Sequence, residues 1–188
     1  MPGHRAVPQI ITPRLVLRGW RVSDRDPFAE MNADPRVSEF LARPVTRDDS
    51  DDMVDRIDRC WRETGYGLWA AEHSDSGAFI GFVGLWPATF DAPFTPAVEV
   101  GWRLAHAHWG NGFATEGAVE ALRFGFKVMH MPEVVSFTAT ANERSRKVMQ
   151  RLGMRHDVDG DFEHPAFDLG DPTRMHVLYR LSRESWVE

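Results

Sequence analysis

Cysteine and long apolar runs are nearly absent from this 188-residue chain. Cys60 is the only cysteine, so the chain has no internal disulfide and no cysteine-built zinc site, which excludes small secreted scaffolds and most zinc ribbons. No stretch reaches the ~18 apolar residues of a membrane span. Met1–Ile11 carries two prolines and lacks the apolar core of a signal peptide. These absences predict a cytoplasmic protein with no membrane partner.

Concentrated positive charge is missing as well. Lys and Arg number 22 against 28 Asp and Glu, which gives a formal net charge of −6. Proteins that bind a phosphate backbone present a basic face, so nucleic acid is not expected as a partner and an amine-bearing partner is favoured. No repeat and no linker of biased composition divides the sequence. Residues 1–188 are therefore predicted to form a single domain, either a monomer or a homodimer.

The hydrophobic pattern changes at about Leu104. Before it, short apolar runs punctuated by glycine and proline predict successive antiparallel strands. After it, a strand–helix–strand order requires a crossover and at least one parallel pair. The prediction is a mixed α/β sheet that is mostly antiparallel. The predicted strands lie within Ile10–Trp20 and at Gly67–Glu72, Ala78–Trp86, Ala97–Leu104, Glu133–Thr140 and His176–Leu181; the predicted helices run from the caps Ser23 and Asp24 to about Pro35 and over Thr46–Trp61, Phe113–Met129 and Asn142–Leu152, where Gly153 is the stop signal.

The predicted helix Thr46–Trp61 combines an apolar stripe with a charged face. Cys60 falls on the stripe, which indicates a buried packing thiol and no nucleophile. The charged face carries acid-first pairs at i,i+4 spacing, which are typical of a solvated helix surface. These pairs are Asp52–Arg56, Asp55–Arg59 and Asp58–Arg62.

A glycine-rich turn lies between a predicted strand and a predicted helix, with the sequence Trp109-Gly110-Asn111-Gly112-Phe113-Ala114-Thr115-Glu116. Glycines let the backbone turn tightly with its N–H groups outward, and a helix start adds partial positive charge, so the turn is suited to a pyrophosphate. Neither GxxxxGK[ST] nor GxGxxG is present, which disfavours a Walker-type or dinucleotide site. The alternative is a plain strand–helix connection that uses glycine only for turning.

Three segments together resemble the GNAT superfamily of acetyl-CoA-dependent N-acetyltransferases. They are Thr12-Pro13-Arg14-Leu15-Val16-Leu17-Arg18, the stretch from Val98 through the glycine-rich turn, and Asn142-Glu143-Arg144-Ser145-Arg146-Lys147-Val148-Met149-Gln150-Arg151-Leu152-Gly153-Met154. The resemblance is strongest to the RimJ/RimL-like branch, whose members acetylate protein N-termini or small amines. It runs from about residue 10 to the C-terminus.

The resemblance implies a sheet splayed open between residues 97–104 and 133–140, flanked by helices, with the pantetheine arm of acetyl-CoA in the gap. Main-chain groups of Trp102 and Leu104 would bond that arm, and Asn142 matches a position whose amide contacts it. Arg146 would reach a CoA phosphate, the alternative being an exposed surface arginine. The pyrophosphate would be held by N–H groups of the turn, formed by Trp109, Gly110, Asn111, Gly112, Phe113, Ala114 and Thr115. Trp109 itself departs from the Gln or Arg that the superfamily often has there.

Acetyl transfer to an amine needs a base for the amine and a proton for the departing thiolate. Glu99 lies in an otherwise apolar strand, so it is a candidate base, acting directly or through water; the alternative is an outward-facing strand residue. The resemblance places Ser145 where it would protonate the sulfur, because Met149 stands where relatives often have a tyrosine. The alternative for Ser145 is a surface or capping serine.

No metal is expected, because none of the eight histidines shows HExxH or paired Cys/His spacing. His106 and His108 are interpreted as loop residues, and Asp157–Asp161 as a hairpin turn. His164 and His176 are candidates for the border of the acceptor pocket. The expected function is acetyl transfer from acetyl-CoA to a primary amine, on a small molecule or a peptide or protein N-terminus; the alternative is a non-catalytic acyl-CoA-binding module.

Overall fold

The computed structural model describes residues 6–187 of the chain. The described residues do not include 1–5 and 188. The two ends of the predicted 1–188 domain and the start of the segment Met1–Ile11 therefore lie outside them. Within the described range one sheet has the order β1-β2-β3-β4-β5-β6-β9-β7, and β8 pairs with β9. The strands are β1 Ile10–Ile11, β2 Leu15–Arg18, β3 Leu68–His73, β4 Phe79–Ala88, β5 Ala97–Leu104, β6 Glu133–Ala139, β7 Arg155–His156, β8 Phe162–Glu163 and β9 Met175–Ser182. The α-helices are α1 Arg25–Ala33, α2 Pro35–Ser38, α3 Arg47–Thr64, α4 Phe113–Arg123 and α5 Glu143–Arg151.

The predicted mixed α/β sheet is confirmed. Strands β1 to β5 form an antiparallel meander, and β6 pairs antiparallel with β9. The parallel contact joins β5 to β6 through a single register pair, Glu99 with Val135. Beyond that pair the two strands diverge, so the sheet opens at its centre.

The sheet has two distinct faces at this opening. Helix α4 covers one face, because a Cβ on its Gly117 would lie 2.6 Å from Cγ1 of Val83. Directly paired residues share a face, so Trp102 lies on the α4 face beside Val83. The ring of Phe28 in α1 lies 6.1 Å from the ring of Phe82, which places α1 on the opposite face.

Alternation along β5 then places Glu99, Gly101 and Arg103 on the α1 face, because Arg103 is paired with Phe82. Val135 pairs with Glu99 and therefore shares the α1 face. Ala139 is four residues further along β6 and lies on the same face, and so does its partner His176. The sheet therefore separates a turn-bearing α4 face from a carboxylate-bearing α1 face.

Three predicted elements differ from the structure. The strand predicted within Ile10–Trp20 is broken by a turn in which Leu15 N donates to Thr12 Oγ1 (2.8 Å). The helix predicted over Phe113–Met129 is α-helical only to Arg123 and continues as a π-helical turn. The segment Asp157–Asp161 is a 3₁₀ turn between β7 and β8, which both pair with β9, so the predicted hairpin is wrong.

The charged face of α3 is exposed, as predicted, and the charge of Arg62 acts on Asp58, but Asp55 pairs with a residue of another helix and not with Arg59. Arg25 of α1 pairs with Asp55 and, at 3.4 Å, with Asp51. Arg47 pairs with Asp51 in the base-first order. Inter-helix pairs of this kind fix α1 against α3.

The predicted burial of Cys60 is confirmed. Its side chain is buried, with Sγ 3.4 Å from the carbonyl oxygen of Tyr66. Burial raises the pKa of the thiol, which disfavours the reactive thiolate. In the described range no helix is long and apolar enough to cross a membrane.

Candidate active site

A cavity of about 670 Å³ lies where β5 and β6 diverge. Its walls come from both faces of the sheet, so the opening connects them. On the α4 face the walls are the glycine-rich turn and α5; on the α1 face they are Glu99, Arg103 and a group of aromatic side chains. Most of the residues predicted for the site are brought together here.

The inner edge of β5 presents main-chain groups to the gap. The carbonyl of Val100 accepts a hydrogen bond from Ser136 Oγ (2.9 Å), so that carbonyl points toward β6. Backbone groups two residues apart on a strand face the same edge, hence Trp102 and Leu104 also face β6, which has moved away. The Leu104 carbonyl already accepts from the indole Nε1 of Trp109 (2.7 Å). Trp109 therefore anchors the turn to the end of β5.

The glycine-rich turn is shaped by two left-handed residues. Gly110 has φ 78° and Gly112, the N-cap of α4, has φ 82°, conformations that favour glycine. The first turn of α4 therefore begins with its N–H groups toward the cavity, where Phe113, Ala114 and Thr115 are lining residues. Thr115 Oγ1 is buried without a hydrogen-bond partner in the structure. This arrangement suits an anionic, oxygen-rich ligand.

A tether from the N-terminal strands holds the turn in place. Glu116 Oε1 accepts from Thr12 Oγ1 (2.6 Å) and from Arg14 N (2.9 Å). Arg14 Nη1 donates to the carbonyl of Asn111 (2.8 Å). Burial opposes ionisation, but the hydrogen bonds from Thr12 and Arg14 together lower the pKa of Glu116. Asn111 shapes the turn and is not among the lining residues.

Helix α5 contributes polar groups to the same face. Asn142 caps it, with Oδ1 accepting from Ser145 N (3.2 Å) and Nδ2 donating to Thr138 Oγ1 (2.9 Å). The capping role considered for Ser145 thus belongs to Asn142. Ser145 lines the cavity, and its Oγ makes no hydrogen bond with the described residues.

The arginine predicted to face a CoA phosphate points elsewhere. Arg146 is not a lining residue, and its Nη1 donates to the Thr140 carbonyl (3.0 Å). The α5 cations that line the cavity are Arg144, Lys147 and Arg151. Arg144 also stacks over the Trp109 ring, with Cζ 4.6 Å from the ring centroid.

Glu99 faces the cavity, and the outward-facing alternative is wrong. Its Oε1 lies 3.4 Å from where a Cβ on Gly101 would be, so the carboxylate leans along β5 over that glycine. Burial raises the pKa of Glu99 to about 8, with the charge of Arg103 opposing the shift. A carboxyl with such a pKa is suited to proton transfer near neutral pH.

His164 and His176 both line the α1 side of the cavity, as the sequence suggested. Their ring centroids are 4.9 Å apart. The Arg174 carbonyl accepts from His176 Nδ1 (2.9 Å), while His164 Nδ1 accepts from Ala166 N (3.2 Å). Burial lowers the pKa of both rings, that of His164 to about 4, so both are neutral at pH 7.

No tyrosine of the described residues lines this cavity. Tyr179 is paired with Ser136, is buried away from the cavity, and has its hydroxyl 3.5 Å from Gln150 Nε2. Met149, the position that the resemblance compares with a tyrosine, is a buried lining residue. Among residues 6–187 no group of three or more His, Cys, Asp or Glu side chains is arranged to hold a metal ion.

Sequence reasoning missed several residues of the site. Arg103 had a local signal, because it lies four residues after Glu99 on one strand and so shares its face. Thr115 was predicted to contribute only its main-chain N–H, whereas in the structure its side-chain Oγ1 is also buried beside the turn without a hydrogen-bond partner. Thr12 and Arg14 are about 100 positions from Glu116, and no local pattern shows that they meet it.

Comparisons with known proteins agree with this geometry. Residues 14–155 match the family model described as an acetyltransferase (GNAT) domain. The FsC-acetyl coenzyme A-N(2)-transacetylase of Aspergillus fumigatus is 31% identical over 97% of this chain and 80% of its own. An acetyltransferase structure from Agrobacterium tumefaciens superposes with a TM-score of 0.75 at 27% identity, covering 94% of this chain and 95% of its own. The ribosomal-protein-S5-alanine acetyltransferase of Vibrio fischeri shares the fold alone, with a TM-score of 0.75 at 16% identity over 96% of this chain and all of its own.

Proposed function

The chain belongs to the GNAT acetyltransferase family, and on that premise we propose that it transfers the acetyl group of acetyl-CoA to a primary amine. The observation that carries the proposal is the cavity itself, which joins an anion-binding turn on one face of the sheet to the Glu99 carboxylate on the other. The name of the Aspergillus relative supports acetyl-CoA as donor and a nitrogen atom as acceptor. The acceptor class stays broad: a small amine, or a peptide or protein N-terminus.

The residues present fit acetyl-CoA. Gly110 and Gly112 open the turn, and the unpartnered hydroxyl of Thr115 lies beside it. Arg151 adds positive charge on the same face, together with Arg144 and Lys147, which also pair with Glu39 and Glu143. Trp102 and Leu104 offer main-chain groups for the pantetheine arm, with Leu104 contributing chiefly its N–H because its carbonyl is engaged. The remaining N–H of the Asn142 amide is suited to the same arm.

When bound, acetyl-CoA supplies a thioester whose carbonyl carbon a neutral amine attacks; the C–S bond breaks as the amide forms and the sulfur leaves as thiolate. Glu99 accepts the proton that the amine must lose, directly or through one water. Its raised pKa makes this transfer reversible near neutral pH, so the carboxyl can release the proton to solvent between cycles. Ser145, at the start of α5, donates a proton to the sulfur and takes one back from solvent.

The branch of the family and the cellular compartment are proposed from the sequence. Thr12-Pro13-Arg14-Leu15-Val16-Leu17-Arg18 and the aromatic–glycine pair Trp109-Gly110 favour the RimJ/RimL-like branch. The single cysteine favours a cytoplasmic setting. A module that only binds acyl-CoA would need the turn and α5 but not a carboxylate of raised pKa beside Gly101, so the enzyme is the function we favour.

The test of the function is release of CoA thiol. Purified protein is incubated with acetyl-CoA alone in one reaction, and with acetyl-CoA plus a mixed pool of amines and peptides in a second. We expect thiol release to depend on the amine pool and a matching acetylated amine to appear by mass spectrometry. Tight binding of acetyl-CoA in calorimetry with no amine-dependent thiol release would support the binding module instead.

Ser145→Ala should lower turnover about 10- to 100-fold, because a thiolate of pKa near 8.5 is already a tolerable leaving group. Binding of acetyl-CoA should stay nearly intact, since the turn is untouched. The matched control is Tyr179→Phe, which removes a hydroxyl outside the cavity. Steady-state rates decide the matter: wild-type turnover in Ser145→Ala, or a slower Tyr179→Phe, would mean that another group protonates the sulfur.

A further inference from the structure

The cavity is lined by five Lys or Arg side chains and one carboxyl side chain, although the whole chain has a net charge of −6. Arg144, Lys147 and Arg151 belong to α5 and the cofactor face. Arg36 has its own carboxylate, because it forms a two-point ion pair with Asp34. Arg103 is the remaining basic residue, and it lies on the α1 face with Glu99.

The position of Arg103 is fixed by buried polar groups. Its Nη1 donates to Oδ1 of Asn32 (2.9 Å), a residue of α1 that is only 1% exposed. Asn32 Nδ2 donates in turn to Ser50 Oγ (3.0 Å), and that hydroxyl donates to the Thr46 carbonyl at the start of α3. The guanidinium is therefore held between β5, α1 and α3 before any ligand binds.

Arg103 forms no ion pair in the described part of the chain, and the acidic group that acts on it from a greater distance is Glu99. The Arg103 Cζ lies 5.4 Å from the centre of the Phe82 ring, and no carboxylate lies within ion-pair distance. Burial lowers the pKa of Arg103 to about 10, which leaves it cationic at pH 7, and the charge of Glu99 opposes the shift. Because burial raises the pKa of Glu99 to about 8, that carboxyl is mostly protonated at pH 7, and a desolvated cation whose acidic neighbour is neutral is costly unless a ligand supplies the charge. The glycine-rich turn is on the other face, so CoA phosphates are not the natural partner.

We propose that Arg103 binds a carboxylate of the acceptor, so that the acceptor is a compound of amino-acid type with its amine near Glu99. This rests on the proposed function. Glu99, Gly101 and Arg103 are successive positions on one face of β5, and the Glu99 carboxyl leans over Gly101, the glycine between the two side chains. One small molecule that carries both an amine and a carboxylate can address both groups across the open space above Gly101, and a guanidinium is the side chain best suited to a two-point carboxylate contact. Trp86 and Phe137 on the same wall suit an apolar body.

The experiment uses acceptor triads that differ only at the carboxylate. Phenylalanine, phenylalaninamide and phenethylamine form one triad, and leucine, leucinamide and isopentylamine the other. For each, kcat/KM is measured with saturating acetyl-CoA, and binding to the enzyme–CoA complex is measured by calorimetry. We expect the wild-type protein to prefer the carboxylate member at least tenfold, through KM.

Variants of Arg103 then separate charge recognition from folding. Arg103→Gln should reduce the preference to about one, and Arg103→Lys should restore part of it; melting curves confirm that each variant is folded. Arg36→Gln is the matched control, because it removes a cavity arginine whose charge is already paired, and it should keep the preference. Equal use of all three members by the wild-type protein, or an unchanged preference in Arg103→Gln, overturns the inference while amine transfer stands. Absence of acetylation of every amine contradicts the proposed function itself.

Discussion

Replacing Glu99 by Gln should lower kcat at pH 7 by a factor of about 10² to 10⁴, the range for loss of a general base. Glutamine keeps the shape of the side chain over Gly101 and removes only its basicity. In the wild-type protein the rate should rise with pH and level off above about 8, because burial raises the pKa of Glu99 to about 8. The variant should lack that step and recover partly at higher pH, where the free amine loses its own proton. A stopped or continuous thiol assay from pH 6 to 10 measures both profiles.

The control for this substitution is Glu133→Gln, at a strand carboxylate that is exposed and paired with Arg180. It should leave the pH profile unchanged. A loss in Glu99→Gln that is equal at every pH would assign Glu99 to binding or folding and contradict its role as a base.

Thermal stability gives a second readout of Glu99 that does not depend on activity. Its folded-state pKa of about 8 lies above its ordinary value of 4.5, so the folded protein holds the proton more tightly than the unfolded chain. The stability that the protonated carboxyl contributes is complete below about 4.5 and is lost as pH rises through about 8. The melting temperature of Glu99→Gln minus that of the wild type should therefore increase as pH rises from 5 to 9. A constant difference over that range would mean that the carboxyl is not buried in the folded protein.

The elements that sequence patterns predicted well are those specified by neighbouring residues. Strands β3 to β5 carry short apolar runs ended by glycine or proline, and their antiparallel pairing is confirmed. The turn at Gly110 and Gly112 is equally local, because positive φ at two nearby positions requires glycine or a close substitute. Glu99 could be selected because one carboxylate stands in an apolar strand.

What the sequence did not predict depends on tertiary contacts. Arg144 and Arg146 both belong to α5, and only the seating of that helix against β6 decides that the first faces the cavity and the second meets the Thr140 carbonyl. The charged residues of α3 have the i,i+4 spacing of ion pairs along one helix, yet Arg25 from another helix binds Asp51 and Asp55. Tertiary packing decides which distant residue comes close enough to pair with a helix carboxylate. The spacing of charges along one helix does not show whether such a partner is present.

Gly112→Asp should weaken binding of CoA at least a hundredfold, the largest effect we expect on the cofactor. The new carboxylate would stand at the N-cap of α4, in front of the N–H groups proposed for the pyrophosphate. Two like charges about 4 Å apart near a protein surface repel by about 4 kcal/mol, so a loss of about 2.8 kcal/mol or more is expected even if Arg14 offsets part of it. Arg14 is within reach, because its Nη2 lies 3.5 Å from where the Cβ would be.

Two variants separate charge from backbone strain in that experiment. Gly112→Ala carries the strain of a side chain at φ 82° without the charge, and should lose much less affinity. Gly77→Asp adds the same charge at φ 67°, in open space away from the cavity, and should bind CoA as the wild type does. Calorimetric titration with CoA on folded proteins gives the three constants. Wild-type affinity in Gly112→Asp would remove the turn from the binding site, and an equal loss in Gly77→Asp would show that the charge acts from anywhere on the surface and not through the start of α4.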